Sequence, residues 1–316
     1  MSLNRIATTL LAAGALLAAS AAWAQFRLPP DTNPLIREGV TVTLAPHTWA
    51  IPDGNVTLVP NVGIVVGSRA TLVIDPGLGR RSGEAVLREV AKVSRNTELY
   101  VASTHFHVEH TMGYLAFPPT AKYVNSTAQE AEFAEGGLPQ VKAFSAFSPI
   151  VADLLKDATE GRKADITFDK EYTLDLGGVR VRMLMVGPTH TKGDTGFFVE
   201  GDNVLFAGDV VMNTSFVAAS QVTSVKAWLA AFDQFERLKP ATIVPAHGEI
   251  GPGSLVAANR AAMARIQARS RELKAQGKTA DETATTVRSE LAAQYPTWAR
   301  ANSVAAAARA AWREAD

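Results

Sequence analysis

Thr104-His105-Phe106-His107-Val108-Glu109-His110 packs three of the chain's six histidines into six consecutive positions. The stretch follows Leu99 to Ser103, a short apolar run that reads as a strand. A chain leaving a strand end projects alternate side chains to one side, so His105 and His107 can address the same point. A turn beyond them lets Glu109 and His110 address a neighbouring point. Imidazole and carboxylate donors suit a borderline cation such as zinc. The chain has no cysteine, so any metal must be held by His, Asp and Glu, and a closed thiolate site of the finger type is excluded.

Working outward, three more candidates stand in similar settings. His190 follows the run Val181 to Val186, within Gly187-Pro188-Thr189-His190-Thr191-Lys192-Gly193-Asp194. Asp209 ends Leu205-Phe206-Ala207-Gly208-Asp209, and His247 follows the buried run Ala241 to Pro245 in Val244-Pro245-Ala246-His247-Gly248. Each candidate ends or follows a predicted strand, and strand ends are where sites collect in layered α/β folds. Alone, each is an ordinary polar residue or turn cap. Their shared placement makes them one constellation.

In order, THFHVEH, GPTHTKGD, LFAGD and VPAHG resemble the metallo-β-lactamase superfamily over roughly residues 40 to 255. The resemblance implies an α/β fold, a four-layer αββα sandwich with two metal ions at one edge between its sheets. By position it implies His105, His107 and His190 as ligands of the first metal. Glu109, His110 and His247 are then ligands of the second, with Asp209 as the bridging carboxylate. Asp75, in Val73-Ile74-Asp75-Pro76-Gly77, matches a position whose carboxylate supports the ligands from behind; a plain strand-ending turn is the other reading. The family usually carries Asp where this chain has Glu109. The longer side chain can bind the second metal, hydrogen-bond a water there, or leave that metal weakly held; retained coordination is the favoured expectation.

The implied activity is that of a zinc-dependent hydrolase in which a metal-bridging hydroxide opens an ester, lactone, thioester or amide bond, a β-lactam included. Glu109 and Asp209 are the catalytic candidates, the former to orient the hydroxide or pass a proton to the leaving group. Ser103 and Thr104 read as strand-end residues. Lys192 is either a solvated lysine or a contact for a substrate carboxylate or phosphate. Phe117, Phe144 and Phe147 are core or cleft wall. Two other readings use the same site: a non-catalytic metal-binding sensor or accessory protein, and a di-iron redox protein, for which the acidic residue at 109 is suggestive. Fold resemblance leaves substrate and metal open.

Elsewhere, Val56 to Val66 and Ala70 to Ile74 read as strands, followed by a helix with Val86, Leu87, Val90 and Val93 on one face. Thr127 to Glu135 reads as a short helix, and residues 136–165, with Gly136-Gly137, Pro139 and Pro149, as an irregular surface excursion able to wall a cleft. Strand pairs turn at Gly177-Gly178 and at Gly201-Asp202-Asn203. Ser224 to Leu238 is helical, with Trp228, Leu229, Phe232 and Phe235 inward, and from Ser254 onward the pattern is helical with breaks near Gly277 and Pro296.

Residues 1–24 carry one charge, Arg5, then an apolar run ending Ala22-Trp23-Ala24. That is the form of a cleavable secretory leader, and the run falls short of the ~20 residues that span a bilayer. The expectation is export to the periplasm or medium without a stable membrane anchor. The catalytic region would occupy 25–255 and a helical extension 256–316. With 31 basic against 31 acidic residues, no electrostatic footprint for nucleic acid exists, and the basic stretch Arg260 to Lys278 reads as a solvated helix face. The expected partner is a small-molecule substrate.

Overall fold

The computed structural model describes residues 28–29 and 32–315; the expected leader lies outside the described residues. Two mixed sheets are flanked by helices. The first holds β1 (Val42–Ala45), β2 (Thr48–Ile51), β3 (Val62–Val66), β4 (Ala70–Ile74), β5 (Glu98–Ala102), β6 (Lys122–Ser126) and β7 (Ile166–Phe168), in that spatial order. The second holds β8 (Glu171–Asp175), β9 (Arg180–Met185), β10 (Thr195–Val199), β11 (Val204–Gly208), β12 (Thr242–Pro245) and β13 (Gly251–Pro252), also in chain order. Pairing is antiparallel at the hairpins and parallel from β4 to β7 and between β11 and β12.

Strand periodicity explains the layering. On β4, Ala70, Leu72 and Ile74 join the core between the sheets, while Val73 joins the outer core with Val86 and Val90 of α1 (Gly79–Val93). On β10 and β11, Phe197, Val199, Val204 and Phe206 face inward, and Phe198, Leu205 and Ala207 face the helices on the opposite side. A strand buried on both faces reads as a near-continuous apolar run, as both of these do apart from Thr195, whose hydroxyl donates to the Gly193 carbonyl. Each fully buried Phe, Leu or Val is worth about 1.5–3 kcal/mol over its exposed state.

The helical layers complete the sandwich. α2 (Val108–Thr111) continues into a 3-10 turn, Met112–Ala116, laid against α1. The approach is close: a Cβ on Gly113 would sit 2.1 Å from the Pro76 carbonyl oxygen. That contact fixes the direction in which the chain leaves the histidine cluster.

Two expectations need correction here. The strand foreseen from Val56 begins at Val62; Val56–Asn61 is a loop in which Leu58 has φ 67°. Its Asn61 side chain is spent on Pro245 and Gly248 across the molecule, so tertiary bonds override the local β pattern. The excursion at 136–165 is also more regular than foreseen. α3 runs Thr127–Ser145 through Gly136-Gly137 and Pro139, and α4 covers Pro149–Leu155. Burial of Val141, Phe144, Val151 and Leu154 in one cluster with Val108 and Met112 stabilises helix that local propensity disfavours.

The remaining helices are α5 (Val225–Leu238), α6 (Leu255–Ala275), α7 (Ala280–Gln294) and α8 (Val304–Glu314). Leu291, Val287 and Ala311 of the late helices share one core with Trp228, Phe232 and Leu205. Among the described residues no helix is long and apolar enough to cross a membrane.

Candidate metal centre

Each candidate ligand sits just past a strand, at the same end of the two facing sheets. His105 and His107 lie in the connection from β5 to α2, Glu109 and His110 in α2 itself, His190 in the loop between β9 and β10, Asp209 directly after β11, and His247 after β12. All are buried or nearly so. Two donor groups form. His105, His107 and His190 make one; Glu109, His110 and His247 make the other, and within each group the ligand atoms lie within 4.8 Å of one another.

The ring nitrogens are sorted by their other partners. His190 Nδ1 donates to the Ala218 carbonyl and His247 Nδ1 to the Val59 carbonyl at 2.9 Å. His105 Nδ1 lies 3.1 Å from Thr104 Oγ1, whose own proton goes to Asp75 Oδ2 at 2.8 Å. The hydroxyl therefore accepts from His105. In all three rings the proton is held on Nδ1, and the Nε2 lone pair faces the centre. His107 presents Nδ1 instead, 3.0 Å from His105 Nε2 and 3.3 Å from His190 Nε2. Nitrogens bound to one tetrahedral zinc at 2.0–2.1 Å stand about 3.3 Å apart. The spacing is that of lone pairs shared by a cation.

The second group and the neighbouring Asp209 leave buried polar atoms without hydrogen bonds, among them Glu109 Oε2, His110 Nε2 and Asp209 Oδ1. Burying such atoms unpaired costs roughly 1–3 kcal/mol each, more for charged groups. Three at one spot, beside two histidine groups, fit a cation as the missing partner. Glu109 Oε1 stands 3.9 Å from both His107 Nδ1 and His110 Nε2, so the longer carboxylate reaches the space between the groups. Asp209 Oδ2 lies 3.5 Å from His190 Nε2.

Asp75 sits behind the ligands with a left-handed φ of 56°. It accepts from the Thr104 N–H at 2.7 Å and the Thr104 hydroxyl, and its Oδ2 stands 3.1 Å from His110 Nδ1, an ion pair poorly aligned as a hydrogen bond. One carboxylate thus orients His105 through Thr104 and His110 directly.

The electrostatics follow from burial and charge. Burial and the neighbouring rings hold His105 and His107 well below the usual histidine range, and burial lowers His247. Burial also opposes protonation of His110, but Asp75 and Glu109 outweigh it and raise that ring to about 9. Burial pushes the Glu109 carboxyl up. Burial works the same way on Asp209, yet the charges of His247, His190, Arg300 and His110 prevail and keep it ionised, far below the carboxylate norm.

Several supports were not foreseen from sequence. Glu132 of α3 accepts the Lys192 and Gly193 N–H groups at 2.8 and 2.7 Å, and Asp194 accepts from the Thr191 N–H and hydroxyl, both at 2.7 Å. Together they freeze the loop carrying His190. Asp53 and Asn61 do the same for the His247 loop, through the Gly248 N–H and the Pro245 and Gly248 carbonyls. A polar residue spent on remote backbone has no local pattern, so only Asp194, inside a quoted motif, was within view. Lys192 points to Glu135 at 3.8 Å and is not among the cavity's lining residues.

The centre opens into a cavity of about 740 Å³. Its walls are the loop Asp53–Leu58, the segment Met212–Ala218, Gly248–Glu249 and Ala299–Arg300. Residues 136–165 contribute nothing to it, and Phe117, Phe144 and Phe147 are core.

The family model described as "Metallo-beta-lactamase superfamily" matches residues 56–247. The lactamase-like protein aptB of Emericella nidulans is 23% identical over 193 residues, 60% of this chain; the chain spans about half, 51%, of that relative's length. A metallo-β-lactamase from Pontibacter korlensis superposes with TM-score 0.57 at 19% identity, covering 71% of this chain and 98% of that one. The stereoselective inverting sec-alkylsulfatase Pisa1 from a Pseudomonas species superposes with TM-score 0.66 at 14% identity, covering 93% of this chain and 58% of that one. At these identities the structural likeness concerns the fold.

Proposed function

The chain belongs to the metallo-β-lactamase superfamily, and from that premise we propose that it is a two-metal, zinc-dependent hydrolase of a small molecule with an ester, lactone, thioester or amide bond. The observation that carries the proposal is the pair of buried donor groups, with unpartnered Glu109, His110 and Asp209 atoms, opening into one cavity. His105, His107 and His190 would hold the first ion; Glu109, His110 and His247 the second; Asp209 lies against His190 and acts electrostatically on His247 as well. Donor chemistry rich in imidazole suits zinc. Ions bound there supply Lewis acidity and lower the pKa of a water molecule to about 7.

The protein's own residues do the rest. Asp75, through Thr104, and the Ala218 and Val59 carbonyls keep His105, His190 and His247 in the tautomer that offers the Nε2 lone pair. Glu109 brings its carboxylate into the space between the two groups, 3.9 Å from both His107 Nδ1 and His110 Nε2, where it would help to hold the second ion. Export after removal of residues 1–24 belongs to the same reading, and rests on the composition of that segment.

The test is metal analysis of purified protein together with turnover of chromogenic lactam, lactone, thioester and aryl ester substrates. Two zinc ions per chain and hydrolysis abolished by His190→Ala are the expected results. Two metals with no turnover of any class would favour a metal-binding accessory protein, and iron with visible absorbance would favour redox chemistry.

A further inference from the structure

Arg300 is the one Lys or Arg among the described residues lining the cavity. It comes from the segment between α7 and α8, more than fifty residues beyond the last sequence motif. It is exposed, and no described carboxylate lies within 4 Å of its guanidinium. Unpaired surface arginines are common. This one differs in how firmly its backbone is held.

The preceding residue, Ala299, forms a parallel bridge with Ser215. The Phe216 N–H donates to the Ala299 carbonyl at 3.1 Å, and the Ala299 N–H donates to the Thr214 carbonyl at 3.0 Å. Thr214 and Arg300 both adopt left-handed conformations, φ 50° and 59°, although neither is glycine. Such positions are disfavoured and persist only when surrounding structure over-determines them. Here Ser303 does so. Its N–H donates to the Arg300 carbonyl at 2.9 Å, and its hydroxyl lies 2.8 Å from that oxygen and 2.9 Å from the Val217 carbonyl. The strand-like bridge thus ties the helical extension to Met212–Ala218, the wall beside Asp209, and sets Arg300 on the cavity rim. From there its charge reaches Asp209 and His247 at the cavity floor.

We propose that Arg300 is a specificity-determining residue that pairs with a carboxylate on the substrate, in a cavity whose floor is the metal centre. A guanidinium offers two parallel N–H donors matched to a carboxylate. The same lining includes the acidic side chains Asp53 and Glu249 and the neutral Asn55, Asn213 and Ser215. One cation in that company balances a monoanion and disfavours a phosphate dianion. The proposal rests on the hydrolase reading above for the reaction, but not for the binding.

The test uses paired probes. For the metal-loaded protein, kcat/KM is measured with 4-acetoxybenzoate and with its neutral methyl ester. In Arg300→Gln the preference for the anionic over the neutral ester falls roughly 10- to 100-fold, carried by KM, and Arg300→Lys restores part of it. An unchanged preference ratio in Arg300→Gln overturns the proposal, even if both activities fall together, because that is what a merely structural role would give. A second arm needs no turnover. NMR titration compares 4-hydroxybenzoate with 4-hydroxybenzamide on the wild-type and Arg300→Gln proteins. Tighter binding of the carboxylate that depends on Arg300 supports the anion site even if no ester is hydrolysed, in which case only the hydrolase reading fails. Equal binding of both probes by the wild type overturns the site.

Discussion

At the scale of single residues, the centre is decided by which nitrogen of each ring is free. Asp75 governs two rings at once, through Thr104 and by direct contact with His110. Asp75→Ala is therefore expected to weaken metal binding 10- to 100-fold, as losses behind a ligand typically do, when measured by competition with a chelating dye. Wild-type affinity would reduce Asp75 to a turn residue. Glu109→Asp shortens the carboxylate that stands 3.9 Å from both His107 and His110. The expected result is weaker binding of one ion and an intact first site, read as stoichiometry falling from two to one at limiting zinc. The ligand types and their strand-end placement were readable in the sequence, because histidines are few here and cluster. The tautomers were not, since their acceptors are backbone carbonyls far away in the chain.

At the scale of elements, α3 is the instructive case. Its first turns were legible, with Ser126 capping through the Gln129 N–H at 3.2 Å. Its continuation past Gly136-Gly137 and Pro139 was not, because the stabilising contacts come from α2 and α4. The extension matters functionally only through the early part, where Glu132 accepts two N–H groups of the His190 loop. Glu132→Ala leaves those donors unpaired and is expected to cost about 1–3 kcal/mol in urea denaturation, with weaker binding at the first metal. Gly208, φ 58°, is another element-level device: a Cβ there would lie 2.8 Å from Thr104 Cβ, so Gly208→Ala presses the end of β11 against the histidine loop.

At the scale of the whole molecule, one core couples the late helices to the second sheet. Leu291→Ala empties a fully buried position in it and is expected to lower stability by about 2–5 kcal/mol, measured by chemical denaturation. Acidity acts on the same scale. In the metal-free protein His105, His107 and His247 have folded pKa values below the ordinary 6.5, so their contribution is lost as pH falls beneath that value. His110 is the opposite: raised to about 9, it contributes fully below 6.5 and the contribution fades as pH rises through 9. Metal-free protein is accordingly expected to be most stable near pH 6.5 and to weaken on either side. Bound metal should flatten the alkaline limb, because a ligated His110 no longer takes up the proton. An alkaline limb equally steep with and without metal would argue against His110 as a ligand.

The sequence by itself carried the fold class and named seven ligand candidates, six of which the fold gathers into two donor groups with Asp209 3.5 Å from His190, because a metal needs particular atoms and strand alternation presents them at readable intervals. The histidine stretch at 105–110 alone carries half of the six histidines. Tertiary structure decided what surrounds those atoms. It placed Glu109 between the two groups, turned each ring to offer one nitrogen, and brought Arg300 from the far end of the chain to the cavity rim. Those outcomes depend on hydrogen bonds and close packing between segments distant in sequence, where no local periodicity exists to be read.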